Sequence, residues 1–181
     1  REQYEMGKKL LAEVGYSEIG MDHFSLKSDS LFKAMENGTL HRNFMGYTAS
    51  KTRVMVGLGV SSISDSWDSF AQNVKSLEEY HHLVESNIIP VYRGHILTEE
   101  DRVVRKHILN LMCKFNTSWE HQNERFNELD EVGDKLKEMA LDGLVEFVSN
   151  GICVTEKGRP YVRNVCMAFD LFLHRKAPET R

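Results

Sequence analysis

Residues 141–155, LDGLVEFVSNGICVT, constrain the fold more than any other stretch of the chain. Upstream, Leu129, Val132, Leu136 and Met139 recur at helical spacing. Gly143 then stops the helix at the position where the chain must turn left-handed, which glycine does without steric cost. Two short β-rich runs follow, "VEF" and "ICV", separated by "SNG". Asn150-Gly151 is a strong hairpin signal and predicts positive φ at both residues. Thr155 can cap a long last helix ending near His174. Helices, a two-stranded wing and a further helix together describe a winged-helix-like module.

The remaining segments are shorter and more varied. "EQYEMGKKLLAEVGY" predicts a first helix with Tyr4, Leu10, Leu11 and Val14 on one face, ended by Gly15. No Ser, Thr, Asp or Asn caps its start, so the chain reads as cut from something larger. "YSEIGM" predicts a short strand. Ser28 or Asp29 can cap a helix over "SLFKAMEN", closed by Gly38. Residues 39–50 read as a connector. "RVMVGLGVSSIS" is apolar on both faces, as a strand of a helix-covered parallel sheet would be. Gly57 and Gly59 weaken such a strand and point to close approach of another backbone or a ligand. From Asn73, the spacing of Val74, Leu77, Tyr80 and Val84 predicts a helix, interrupted at Pro90. "VYRGHIL" reads as an extended link. Thr98 and Asp101 form a capping-box pattern ahead of Val103, Val104, Ile108, Leu111 and Met112. A further helical run holds Trp119 and Phe126.

Several kinds of chemistry are disfavoured. The net charge of −4 argues against a general nucleic-acid or membrane-surface binder. A winged-helix module that reads DNA shows a basic face. Here residues 101–181 carry 13 basic and 13 acidic side chains, and the wing carries no base. No apolar run is long enough to span a bilayer. Cys113, Cys153 and Cys166 are widely spaced, which fits reduced thiols in a cytoplasmic protein. They form no cluster motif. His81 and His82 are adjacent, so on a helix they diverge, and His107 and His121 lack a partner at ligand spacing. The expectation is no metal ligand in the chain. No Gly-x-Ser-x-Gly elbow or phosphate loop occurs.

"HRNFMGY", residues 41–47, stands apart. It gathers His41, Arg42, Asn43 and Tyr47 just ahead of the apolar run. Such a cluster suits an anionic ligand, because Arg grips a carboxylate through two parallel hydrogen bonds.

"GYSEIGMDHFSLKSDSLFKAMENGTLHRNFMGYT", "VGLGVSSIS", "AQNVKSLEEY", "RGHILTEEDRVVRKHILNLMCKF" and "DGLVEF…VTEKGRPYVRNVCMAFD" resemble oxygen-independent coproporphyrinogen III oxidase, a radical S-adenosylmethionine family of heme and porphyrin biosynthesis. The resemblance runs in order through nearly the whole chain. It implies an α+β, mostly helical chain in which terminal pieces of a partial (β/α) barrel precede a helical winged-helix-like C-terminal domain. Residues 1–64 would be the last part of the barrel, 65–97 a connecting helix and linker, and 98–181 the C-terminal domain. The family's Cys-x3-Cys-x2-Cys motif for a [4Fe-4S] cluster is absent, so the chain would be a C-terminal portion, inactive alone.

In the complete enzyme of this family, reductive cleavage of S-adenosylmethionine yields a radical that takes hydrogen from a propionate. Loss of CO2 and an electron then leaves a vinyl group, on two propionates in turn. The resemblance implies S-adenosylmethionine contact at Ile63. His41, Arg42, Tyr47 and Arg93 would be substrate-binding, and Arg163 an outer contact. Partners would be the porphyrinogen and the missing N-terminal barrel portion, in a monomeric cytoplasmic protein. Met45 departs from the Gln found here in many members, and Pro160 and Tyr161 replace aliphatic residues. Two other readings remain: a heme chaperone of the same superfamily, and a stand-alone winged-helix interaction module.

Overall fold

The computed structural model describes residues 2–171 and 173. Helix α1 (Glu2–Glu13) leads into a hairpin of β1 (Tyr16–Gly20) and β2 (His23–Leu26). Tyr4 holds the helix to this hairpin, donating from its hydroxyl to a Glu18 carboxylate oxygen at 2.6 Å and to the Met21 carbonyl. Helix α2 (Ser30–Glu36) starts where Asp29 accepts from the Leu31 amide at 2.7 Å, and Gly38 with φ +67° follows its end. The expected connector at 39–50 instead contains a second hairpin, β3 (His41–Asn43) and β4 (Gly46–Thr48), with Phe44 and Met45 at its tip. Glycine is needed at position 46, where φ is +131°.

The expected parallel strand over "RVMVGLGVSSIS" is not present. Two short antiparallel strands, β5 (Val54–Met55) and β6 (Ile63–Ser66), flank an irregular loop. The glycines account for the break. A Cβ on Gly57 would lie 2.7–2.9 Å from the Ile63 backbone, and Gly59 has φ +98°. Asn73 pins this loop, donating to the carbonyls of Gly57 and Gly59 and to the Ser62 hydroxyl at 3.0–3.2 Å. The close approach suspected at these glycines is thus met by the protein's own backbone.

Strand β7 (Ser69–Asn73) continues this sheet. Asn73 ends a strand and does not begin a helix, because helix α3 (Leu77–Glu85) starts only after Ser76, whose hydroxyl accepts from the Glu79 amide. The extended link "VYRGHIL" forms β8 (Val91–Ile96) and completes a four-stranded antiparallel sheet in the order β5-β6-β7-β8.

Helix α4 (Glu99–Lys114) begins with the anticipated capping box. The Thr98 hydroxyl accepts from the Asp101 amide at 3.1 Å, and the Asp101 carboxylate accepts from the Thr98 amide at 2.8 Å. Beyond it, β9 (Asn116–Ser118) and a single 3₁₀ turn at Gln122–Glu124 replace the helix expected around Trp119 and Phe126. Trp119 is carried past the strand end, where its amide donates to the Asn150 carbonyl.

Helix α5 (Leu129–Leu141) and Gly143, with φ +71°, are as the spacing predicts. The hairpin of β10 (Val145–Val148) and β11 (Gly151–Val154) forms, but neither Asn150 nor Gly151 has positive φ. The turn residues are Ser149 and Asn150, and Gly151 lies inside β11. Its lack of a side chain serves the approach of β9, since a Cβ there would sit 2.3 Å from the Thr117 carbonyl oxygen.

Thr155 caps only a turn, its hydroxyl accepting from the Gly158 amide at 3.0 Å. A 3₁₀ turn at Arg159–Tyr161 then leads into helix α6 (Val162–Ala168). Pro160 is accommodated in that 3₁₀ turn, where its missing amide costs little. The helix end expected near His174 lies outside the described residues.

Among the described residues, helix and sheet are mixed throughout, in four small antiparallel sheets that stay open. Two cores hold them. The larger joins α4, α5, α6 and the β9-β11-β10 sheet around the fully buried Leu111, Leu136, Ile152, Val165 and Phe169. The smaller gathers Ile19, Ala34, Leu40 and Tyr47 under the two hairpins. Cys113 packs against both, and the Tyr47 hydroxyl donates to the Met112 carbonyl at 2.8 Å. The β3–β4 hairpin is thereby fixed against α4.

Candidate functional site

The position of that hairpin creates two adjoining clefts. The first, of about 470 Å³, opens between the hairpin, α4 and α6, with Arg42, Phe44, Ile108, Met112, Arg163 and Met167 among its walls. The second, of about 510 Å³, lies between the hairpin tip and the four-stranded sheet. Ile63, Gln72, Arg93 and His95 line it. Phe44 and Phe70 line both, so the two spaces meet at the hairpin tip.

Arg42 projects from β3. Its guanidinium carbon sits 4.8 Å from the centre of the Tyr47 ring, a cation–π contact. Its Nη1 is buried without a hydrogen-bond partner. A guanidinium nitrogen left unsatisfied is costly, and Arg42 also lines the first cleft, where its planar fork can meet a carboxylate. Arg163 lines the same cleft from α6. In the second cleft Ile63 sits on β6, paired with Gln72 of β7. Arg93 donates from Nε to the Gln72 side-chain oxygen at 2.9 Å.

His41 and Tyr47 are buried and line neither cleft. Burial is the main cause that lowers the His41 pKa, with Lys51 and Arg105 adding to it. Burial raises the Tyr47 phenol to about 12, against the pull of Arg42. Both are neutral near pH 7, and Tyr47 serves as the shelf under Arg42.

Sequence reasoning missed the ion pair beneath this site. Arg105 of α4 grips Asp65 of β6 with Nη2 at 2.7 and 3.0 Å from the two carboxylate oxygens, and its Nη1 donates to the Ser66 carbonyl at 3.0 Å. Phe70 and Trp67 lie 4.8 and 5.1 Å from its guanidinium carbon. A signal was present: Arg105 precedes Ile108 and Met112 by three and seven residues, which puts a charge on an apolar helix face. Asp101 does more than cap α4. Its carboxylate also meets His95 Nε2 at 3.1 Å, linking the rims of the two clefts. Burial works to raise the Asp101 pKa, but the bonds from Thr98 and His95 outweigh it and the carboxyl sits below its ordinary value.

The thiols are poor ligands. Burial raises Cys113 to about 11 and Cys166 to about 12. Among the described residues, no three His, Cys, Asp or Glu side chains gather closely enough to hold a metal, and no helix is long and apolar enough to cross a membrane. Chemically, the arrangement can hold carboxylates at Arg42, Arg163 and Arg93 around an apolar divide.

Comparison with known proteins adds an independent line. No protein-family model matches the chain. The oxygen-independent coproporphyrinogen III oxidase of Escherichia coli is 40% identical over 172 residues, which is 92% of this chain and 38% of that protein. The protein of the same name from Pseudomonas aeruginosa is 39% identical over 168 residues, 90% of this chain and 36% of its own length. That from Synechocystis is 35% identical over 178 residues, 93% of this chain and 38% of its own. The solved structure of the Escherichia coli coproporphyrinogen III oxidase, described as a radical SAM enzyme, aligns with a TM-score of 0.84 at 38% identity. The alignment covers 93% of this chain and 40% of that one. The chain spans less than two-fifths of the length of these curated relatives. Over the stretch that it spans, the chain is a relative, in sequence and in fold, of the oxygen-independent coproporphyrinogen III oxidases.

Proposed function

We propose that these 181 residues are the C-terminal portion of an oxygen-independent coproporphyrinogen III oxidase and that the two clefts hold its porphyrinogen. The observation that carries this is Arg42, a half-buried guanidinium whose Nη1 has no partner, on the wall of an apolar cleft. A porphyrinogen bears several propionates around an apolar ring, the ligand type that such a wall accepts. Arg42 and Arg163 hold carboxylates on one side of Phe44, and Arg93 holds one on the other. Tyr47 fixes the plane of Arg42, and His41 supports the strand behind it.

The second cleft also fits S-adenosylmethionine. Ile63, Phe44 and Phe70 offer apolar surface for its base, beside the propionate held at Arg93. When bound with a cluster held elsewhere in the protein, that cofactor supplies hydrogen-atom abstraction. The residues here orient the propionate toward it and keep water out. The cysteines do not fit a [4Fe-4S] cluster: among the described residues they do not gather with other ligand-type side chains, and Cys166 is buried with a raised pKa. Cluster ligands come from outside these residues.

Residues 98–181 correspond to a winged-helix-like domain. This is supported by the strand order β10-β11-β9 and by the helices α4, α5 and α6 packed on it. The assignment of 1–64 to a barrel, with 65–97 as its connection, rests on the family resemblance. The protein acts in the cytoplasm as a monomer.

The test is an anaerobic assay of the longer protein with coproporphyrinogen III, S-adenosylmethionine and a reductant. Two CO2 released per substrate, with two vinyl groups formed, is the expected result. Heme binding with no decarboxylation would replace this reading with that of a chaperone.

A further inference from the structure

Arg105 is held by more contacts than an ion pair needs. It reaches from α4 to the place where β6 turns into β7. Its terminal nitrogens donate to both Asp65 carboxylate oxygens and to the Ser66 carbonyl at 2.7–3.0 Å. Its guanidinium carbon also lies 4.8 Å from the centre of the Phe70 ring and 5.1 Å from that of Trp67. Asp65 and Phe70 are directly opposite in the β6–β7 register, so their side chains share one face of the sheet. One guanidinium therefore fixes both members of a cross-strand pair.

Arg105 and Arg42 both line the first cleft, but their charges do different things. Arg42 has a nitrogen without a partner, whereas Arg105 is already neutralised by a carboxylate. The Arg105 and Asp65 side chains are only 14% and 9% exposed. A pair so buried adds little stability over apolar side chains of similar volume. What it supplies is placement, through a planar fork and a stacked face. The ring it places, Phe70, lines both clefts and forms their shared wall with Phe44. Phe44 is 62% exposed at the hairpin tip, so Phe70 is the better anchored of the two.

We infer that Arg105, paired with Asp65, is a positioning residue that sets the Phe70 ring and thereby aligns the contents of the two clefts. Resting on the proposed function, the aligned groups are the S-adenosylmethionine base against Phe70 and the propionate that loses hydrogen. Misplacing reacting groups by about 1 Å costs on the order of 100-fold in rate. A shifted ring leaves both ligands bound, so the loss falls on kcat and not on KM. It also lowers the share of cofactor cleavages that end in CO2. A misaligned cleavage still consumes one electron from the reductant and yields 5′-deoxyadenosine, which takes its hydrogen from reductant or buffer in place of the propionate.

The test uses the longer protein with four variants: the pair change Asp65→Ala with Arg105→Met, Arg105→Lys, Phe70→Leu, and the pair change combined with Phe70→Leu. Wild type should form about one 5′-deoxyadenosine per CO2, one abstraction for each propionate lost. The pair change should raise that ratio and lower kcat for CO2 release roughly 10-fold or more, with KM and Tm close to wild type. Arg105→Lys keeps the charge without the fork and should move the same way by less, which keeps the test open if the pair variant melts early. With Phe70→Leu already present, the pair change should lower kcat by no more than about twofold, because it acts through that ring. A readout free of turnover is 4-fluorophenylalanine at position 70. In protein without ligands its fluorine resonance should be single and narrow, and the pair change should broaden or split it. Wild-type kcat and ratio in the pair variant and in Arg105→Lys overturn the inference. So does an equal loss with and without Phe70, or an unmoved fluorine resonance. A wild-type protein that releases no CO2 defeats the functional reading alone, because the resonance still decides whether Arg105 sets the ring.

Discussion

His107 lies wholly buried on α4, with the rings of Phe169, Phe126 and Trp119 centred 5.5–6.3 Å away. Its Nε2 faces the Glu124 carbonyl oxygen at 2.7 Å, so that nitrogen must carry the proton. Nδ1 then accepts from the Thr117 hydroxyl at 2.7 Å. Burial lowers the pKa of this ring below its ordinary value, against the opposing bond to Glu124. Above pH 6.5 the ring is neutral both folded and unfolded. Below it the unfolded chain takes up a proton that the folded chain resists, so stability falls on acidification by up to about 1.4 kcal/mol per pH unit for one such group. His107→Gln should cost stability at pH 7.5 and flatten the loss between pH 6.5 and 5. Urea unfolding at several pH values measures both. An unchanged pH slope would show that His107 does not carry it, leaving His41, which is shifted the same way. The lack of a local ligand partner marks His107 as structural in the sequence. Its bonding partners were not legible, because Thr117 and Glu124 reach it across a turn that periodicity did not resolve. Arg42 is similar. Its residue type and neighbours were legible, but the unsatisfied nitrogen depends on burial.

Elements with local signals were legible, and elements built by distant pairing were not. The capping box of α4, the Asp29 cap of α2 and the glycine stops at 15, 38 and 143 all appear as the spacing predicts. The apolar run at 53–64 misled because its glycines permit a loop, and Asn73, sixteen residues beyond Gly57, holds that loop. Gly151 shows a correct element reached for a different reason: the hairpin exists, but the glycine admits β9 and sets no left-handed turn. The Asp65–Arg105 pair joins the four-stranded sheet to α4 and is equally distant in sequence. Both side chains are mostly buried, so removing one leaves an uncompensated charge. Asp65→Ala should destabilise by about 3–5 kcal/mol, and the double change Asp65→Ala with Arg105→Met should recover much of that loss. Thermal and denaturant unfolding would show it. Equal destabilisation in the single and double variants would mean that packing on Phe70 and Trp67, and not charge, sets the cost.

At the scale of the molecule, two cores meet along α4 and bring the β3–β4 hairpin to the junction of two clefts. The family resemblance was legible from motifs in order, and the relatives bear it out over nine-tenths of the chain. The clefts were not legible, because their walls come from distant segments, residues 42 to 171 for the first and 44 to 95 for the second. In the proposed function, Arg42 holds a substrate carboxylate. Its most direct test is steady-state kinetics of the longer protein with coproporphyrinogen III, comparing wild type, Arg42→Ala and Arg42→Lys, with Tm measured alongside. Loss of a buried carboxylate partner costs about 2–5 kcal/mol, so Arg42→Ala should lower kcat/KM by roughly 30-fold or more with little change in Tm. Arg42→Lys should recover only part of it, because an ammonium lacks the planar fork. Wild-type kinetics for Arg42→Ala would contradict the account.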